Sequence, residues 1–265
     1  MDHRRNGAVM TIHQTLFASY SNPLRVVDGA DFDGTNDSVE RGAGLTGAAD
    51  SKSGILSFWV RLDGNDGVTR QIIAASTTVG GSILRFRARF LLVSNLFTVT
   101  GFNAAGAEIL SIPSATAYTA AATWLHFLCS WDLAQSAGHL YVNDVSDIGT
   151  PTLTDDTIDY TLADWGVGDH AGGGNRLNGV LAELDFAPGE YLDFSLTANR
   201  RKYISASGKP VHLGTAGALP TGTSPLVYLH LDDGEAVANF ATNRGTGGDF
   251  TITGTLDTGS TSPRD

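Results

Sequence analysis

The dominant pattern along the chain is short-range alternation of apolar and polar residues. Leu56, Phe58, Val60 and Leu62 are separated by Ser57, Trp59 and Arg61. A period of two sends the aliphatic set to one face of a β-strand and turns Trp59 and Arg61 to the other. The run Leu84-Arg85-Phe86-Arg87-Ala88-Arg89-Phe90 is stricter, with apolar residues at one parity and three arginines at the other. Further strands are predicted over 97–101, 125–131, 139–143, 180–186, 226–231 and 250–253. Between the runs lie Gly, Asp, Asn, Ser and Thr clusters, such as 63–67 and 172–175, rich in residues that accept positive φ. This is the pattern of an antiparallel sandwich or barrel.

Helical periodicity is nearly missing. One helix is predicted near 195–207, with Ser195 capping its start and Gly208 closing its end in the left-handed conformation. Leu196, Tyr203 and Ile204 would form its buried side. Beyond it, Lys209-Pro210, a turn-rich stretch over 215–224 and a strand-like run over 226–231 read as an excursion that returns strands to the same sandwich. The 265 residues give roughly 1.8 domains at the usual size, which an all-β fold fills as one. The expected division is an N-terminal arm over 1–23, one sandwich over 24–254 with 190–254 as its extension, and a flexible end over 255–265. The arm carries Leu16, Phe17 and Tyr20 and is either a docking segment or a first edge strand.

Composition narrows the functional classes. Seventeen Lys and Arg against 28 Asp and Glu leave a net charge of −11, which opposes general binding to nucleic acid or anionic lipid. No apolar run approaches the ~18 residues of a spanning helix, so membrane insertion is not expected. The first residues, Met1 to Arg5 followed by Asn6-Gly7-Ala8-Val9, lack the apolar stretch of a secretory signal, and Met10 competes with Met1 as the start. Cys129 is the single cysteine, so no intrachain disulfide forms; between Leu128 and Ser130 it reads as a small buried filler.

Phe32-Asp33-Gly34-Thr35-Asn36-Asp37-Ser38-Val39 resembles the opening turn and strand of laminin G-like, concanavalin A-type jelly-roll domains. Ile55-Leu56-Ser57-Phe58-Trp59-Val60 resembles that family's tryptophan strand. Trp124-Leu125-His126-Phe127 with Ser130-Trp131-Asp132, then Leu140-Tyr141-Val142-Asn143-Asp144, follow in the family's order, with Asp144 where the family has Gly. Leu177-Asn178-Gly179-Val180-Leu181-Ala182-Glu183-Leu184 is similar to a later family strand, with Ala182 where Asp is common. The resemblance covers roughly residues 30–190. It implies an all-β, two-sheet antiparallel jelly-roll sandwich whose members bind glycans or proteins, some with calcium. The 190–265 extension is similar to tails of such domains in proteins carried by phages and prophages, which implies a virion surface as the setting.

Candidate chemistry is sparse. Glu183 and Asp185 share a strand face, but retaining glycoside hydrolysis needs two carboxyl groups about 5 to 5.5 Å apart, and Pro188-Gly189 turns the chain before a further partner, Glu190. No Gly-x-Ser-x-Gly elbow exists. The stretch Gly166-Val167-Gly168-Asp169 lacks the Lys and Ser/Thr of a phosphate loop. Seven histidines are scattered, without zinc spacing. Asp28, Asp31, Asp33, Asn36 and Asp37 concentrate oxygen ligands, so a structural calcium completed by Glu183 and a simple turn are both open readings.

The arginine stripe is more informative. Arg85, Arg87 and Arg89 stand about 7 Å apart on one face and call for anions. If Trp59, Arg61, Trp124 and His126 join that face, the surface stacks sugar rings and forks onto carboxylates or sulfates. Pairing with acidic groups of a neighbouring strand or subunit is the other reading. The tract Arg200-Arg201-Lys202 is expected to be the solvated side of the helix. The expectation for the whole is a non-catalytic virion surface protein with lectin-like binding to a host glycan, homo-oligomeric and in contact with other virion proteins. A purely structural virion subunit and a polysaccharide depolymerase are the alternatives.

Overall fold

The computed structural model describes residues 27–170 and 173–265; the N-terminal arm, with Leu16, Phe17 and Tyr20, lies outside the described residues. Two antiparallel eight-stranded sheets pack face to face. One, the tryptophan sheet, runs Val145–Ser146, Ala137–Val142, Leu125–Asp132, Ser53–Leu62, Asn178–Pro188, Ala30–Asp33, Asp257–Thr258, with Val227–Leu229 also paired to Asn178–Pro188. The other, the arginine sheet, runs Thr152–Leu153, Glu108–Ala117, Leu96–Phe102, Leu84–Phe90, Arg70–Ser76, Asp164–Val167, Ser38–Arg41, Thr251–Thr253. The two-sheet jelly-roll sandwich implied by the sequence is the fold observed.

The period-two strands explain the core. Leu56, Phe58, Val60 and Leu62 meet Phe86, Ala88 and Phe90 in one apolar cluster, all at or near zero exposure. Phe86 sits among Trp131, Tyr160, Trp165 and Phe186, with ring centroids 4.7 to 6.3 Å away. The polar ends of buried rings are partly absorbed inside this cluster: Trp131 Nε1 donates to Tyr160 Oη at 3.0 Å. Cys129 is buried as expected, and burial pushes its thiol pKa up.

Gly168 is not part of a phosphate loop. It follows the strand Asp164–Val167 at φ +76°, where a Cβ would lie 2.4 Å from the Phe32 ring, so its lack of a side chain lets Phe32 into the core. In Asn178–Pro188 the pairing with Ser53–Leu62 slips between Ala182 and Asp185, and Glu183 takes φ +50°. This bulge is why Leu181 and Leu184, three residues apart, both reach the core.

The excursion over 190–213 departs from the sequence reading. The helix near 195–207 is one turn, Thr197–Arg200, and its N-cap is Leu196 with no side-chain bond, while Ser195 bonds Asp193. Leu196 is exposed, whereas Tyr203 and Ile204 are buried. The segment spends its apolar residues on the outer face of the tryptophan sheet: Phe194, Tyr203, Val211 and Leu213 cluster with Ile55, Leu128 and Tyr228 as a second core. A longer helix would draw these side chains away from that sheet.

A further expectation is corrected here. Arg200 and Arg201 are not a solvated face: Asp144 Oδ1 accepts from Arg200 Nε and Oδ2 from Arg201 Nη2, both at 2.6 Å, and Lys202 donates to the Pro220 carbonyl. Asn143 and Asp144, both at positive φ, form the two-residue hairpin turn between Val142 and Val145. Asp in the family's Gly position therefore keeps the turn and also anchors the excursion. The C-terminal stretch 255–265 lies against the sandwich: Asp257–Thr258 adds a strand beside Ala30–Asp33, and Arg61 Nη1 donates to Thr261 Oγ1 at 2.6 Å.

Candidate functional site

The side chains that alternate outward from the tryptophan sheet start as a polar and aromatic row. Register places Trp59 opposite His126 on one side and Ala182 on the other. Trp59 and His126 stack at 4.6 Å between centroids, and His126 Nε2 is 2.9 Å from Ser57 Oγ. Ile204 of the excursion closes over Trp59 and Ala182. Trp59 and His126 are thereby only 3% and 1% exposed, and burial lowers the His126 pKa to about 3, so its ring is neutral in ordinary buffers. Ala182 in place of the family's Asp fits this cover, since a carboxylate there would be buried beneath Ile204. Arg61 forks onto Asp63, with both bonds at 2.8 Å, and reaches Ser260 and Thr261 with its remaining nitrogen.

Trp124 alone of the row stays half-buried, at the edge where the excursion and the C-terminal tail come together. Its Nε1 donates to Thr261 Oγ1 at 3.0 Å. A cleft of about 460 Å³ opens there, lined by Trp59, Trp124, Asn143, Lys209, Thr261 and Asp265 among others. Asn143 Oδ1 accepts the His126 backbone N–H at 2.8 Å, and its NH2 end has no bond among the described residues. Lys209 Nζ donates to the Asp265 carbonyl at 2.9 Å, bridging the tail to the 205–209 turn. An indole wall flanked by amide, ammonium, carboxylate and hydroxyl groups suits a ring that has an apolar face and a polar rim.

The arginine stripe lies elsewhere. Arg85, Arg87 and Arg89 point outward from the opposite sheet, so the expected joint surface with Trp59, Arg61, Trp124 and His126 does not form. The reason is the chain path: the strand after Ser53–Leu62 crosses to the other sheet, and the neighbours of Leu84–Phe90 are Arg70–Ser76 and Leu96–Phe102. Those neighbours place Gln71 and Ala74 on one side, and Thr98 and Thr100 on the other. The adjoining strands therefore place no acidic side chain opposite the arginines, and Glu108, at the start of the strand beyond Leu96–Phe102, attracts Arg87 and Arg89 without an ion pair.

Glu183 and Asp185 are 3% and 1% exposed, and neither lines the cleft. Tyr228 Oη donates to Glu183 Oε2 at 2.8 Å. Burial, with Glu183 adding repulsion, holds the Asp185 carboxyl pKa well above the usual range, which favours its neutral form. The pair is built into the second core beside Tyr228, its cross-strand partner. In the opening loop Asp33 Oδ1 accepts the N–H groups of Thr35 and Asn36, and Asp37 accepts from Asp33 and Thr255. Asp28 accepts from Gly234. These oxygens hold turns. Among the described residues no group of three or more His, Cys, Asp or Glu is arranged around a metal position, and Glu183 is committed to Tyr228 instead of to this loop.

Sequence reasoning missed Lys209, Thr261 and Gln71 as site residues. Lys209 and Thr261 reach the cleft only through the docking of the last 70 residues, and no local pattern announces that. Asn143 was visible only as the end of the predicted strand 139–143 and as part of the family-like run 140–144. Gln71 had a signal in its neighbours, since Arg70-Gln71 stands directly before the apolar run 72–75.

Solved structures align with this chain to differing degrees. A protein of Bacteroides ovatus, provisionally described as carbohydrate binding, superposes with a TM-score of 0.62 at 12% identity, over 91% of this chain and 62% of its own length. This chain thus spans less than two thirds of that protein. A heptameric SAP-like pentraxin of Limulus polyphemus aligns at TM-score 0.47 and 15% identity, over 64% of this chain and 79% of its own. The receptor-binding domain of botulinum neurotoxin type G aligns at 0.42 and 11%, over 67% and 51% of the two chains. Among curated proteins no sequence matches. The family model of the concanavalin A-like lectin/glucanases superfamily matches residues 33–189, more than half of the chain, and the protein belongs to that family.

Proposed function

We propose that this protein is a non-catalytic, lectin-like module that binds a saccharide in the cleft beside Trp124. The carrying observation is the cleft itself: the excursion covers Trp59 and Ala182 with Ile204, and Trp124 stays accessible beside them among Asn143, Lys209 and Asp265. A pyranose presents C–H groups to an indole face and hydroxyls to amide, ammonium and carboxylate groups. The shared fold with the Bacteroides ovatus protein supports this reading. The similarity of the 190–265 extension to tails of phage-borne domains supports a place on a virion surface, as a homo-oligomer among other virion proteins facing a host glycan. The burial of Glu183 and Asp185 supports binding without cleavage.

The test is a glycan array with the purified full chain, followed by calorimetric titration of the best ligand. Trp124→Ala should weaken binding by roughly tenfold or more, about 1.4 kcal/mol, and Lys209→Ala by less. A silent array, or undiminished affinity in both variants at unchanged melting temperature, would reject the cleft and favour a structural subunit.

A further inference from the structure

The outward face of the arginine sheet carries a demand for ligand that the chain itself does not meet. Gln71 is fully buried, yet neither its Oε1 nor its Nε2 has a hydrogen-bond partner. It stands directly opposite Arg89 in the strand pairing, so both side chains share the outward face. The Nε atoms of Arg85 and Arg89 are likewise buried and unpartnered. Among the described residues no ion pair reaches Arg85, Arg87 or Arg89. Arg87 has Thr100 Oγ1 at 3.3 Å and the Phe102 ring at 5.1 Å, and Glu108 attracts Arg87 and Arg89 without forming an ion pair with either. Leaving one buried amide or guanidinium nitrogen unsatisfied costs about 1–3 kcal/mol, so this cluster is dear to keep without an occupant.

The chemistry of the cluster defines the occupant. Guanidinium groups at every second residue meet anions about 7 Å apart, matching sparse charge along a chain better than the dense charge of a nucleic acid backbone. Gln71, Thr98 and Thr100 are buried beneath this face, so the arginines meet the occupant first and the Gln71 amide, a donor and an acceptor in one plane, is the group left to be satisfied. The overall charge of −11 opposes long, dense polyanions and leaves this face as a local exception. Burial and the nearness of Arg89 lower the Arg87 pKa to about 10, so Arg87 is still cationic at neutral pH.

We propose that the face formed by Gln71, Arg87 and Arg89 is a second saccharide site, separate from the Trp124 cleft, that binds acidic sugars through their carboxylate or sulfate groups. The two sites lie on opposite sheets and are independent. The experiment is calorimetric titration of the full chain with a hexauronate oligosaccharide, sulfated dextran, neutral dextran and a single-stranded DNA hexamer, each at low and high salt. The expected result is binding of the uronate or the sulfated dextran but not of the neutral polymer, weakening as salt rises. Arg87→Ala and Gln71→Leu should each lower that affinity roughly tenfold or more, Arg87→Lys should fall between, and Trp124→Ala should leave it unchanged. Melting curves show that each variant is folded, and Arg87→Lys retains the charge if Arg87→Ala does not fold. Absence of binding to both acidic probes overturns the proposal, as does equal affinity for the DNA or wild-type affinity in both Arg87→Ala and Gln71→Leu. A stable dimer by light scattering that Arg87→Ala dissociates would also overturn it, assigning the face to a subunit contact.

Discussion

His126 gives the sharpest test of the idea that the excursion converts an outward sheet face into interior. Its ring is 1% exposed, stacked on Trp59 and bonded to Ser57, with burial lowering its pKa from 6.5 to about 3. As pH falls below 6.5 the unfolded chain takes up a proton at this histidine, while the folded chain refuses it until about pH 3. The unfolded state then binds more protons, so folding stability contributed by His126 is complete above 6.5 and drains away as the solution is acidified. The slope is about 1.4 kcal/mol per pH unit, which makes the loss at about pH 4.5 roughly 2.7 kcal/mol. Asp185, held neutral by burial, acts in the opposite sense, since its stabilising effect is present at low pH and fades as pH rises. Comparing the wild type with His126→Gln cancels that term, because Asp185 is common to both. Urea unfolding followed by tryptophan fluorescence at neutral pH and at about pH 4.5 should show the wild type losing about 2–3 kcal/mol more than the variant on acidification. Equal losses in the two proteins would refute a buried, neutral His126 and with it the sealed face.

Two further substitutions probe the same architecture. Asp144→Gly restores the family's turn residue at φ +68° but removes the carboxylate that holds Arg200 and Arg201, so stability by urea unfolding should fall by about 1–2 kcal/mol where turn preference alone predicts a gain. Phe86→Ala empties the centre of the aromatic cluster between the sheets and should cost about 3–5 kcal/mol by the same measurement, with a cost below 1 kcal/mol contradicting the packing described.

Much of the fold was legible because strand periodicity is a local property. Leu84–Phe90 needed no partner to declare which side is core, and the same holds for Ser53–Leu62. Arg70–Ser76 was illegible because it is buried along its whole length and shows no alternation. The site was harder. Outward parity for Trp59 and His126 was correct relative to the sandwich, but what covers that side comes from residues 194–213, far along the chain. The grouping of Arg85, Arg87 and Arg89 with Trp124 failed because alternation says which face a side chain takes within its strand and nothing about which sheet the strand joins. The departures from the family pattern carried more information than the agreements. Asp144 and Ala182 are both explained by the excursion, one as its anchor and the other as the small residue beneath it.

The cleft at Trp124, between the excursion and the tail, is the sugar-binding opening proposed for the tryptophan sheet. The most direct measurement is a crystal structure of the full chain grown with its best glycan-array ligand. A pyranose ring is expected against the Trp124 indole, within hydrogen-bond reach of Asn143 and Lys209. A well-ordered neutral sugar bound anywhere else on the sandwich, with the Trp124 cleft empty, would contradict it.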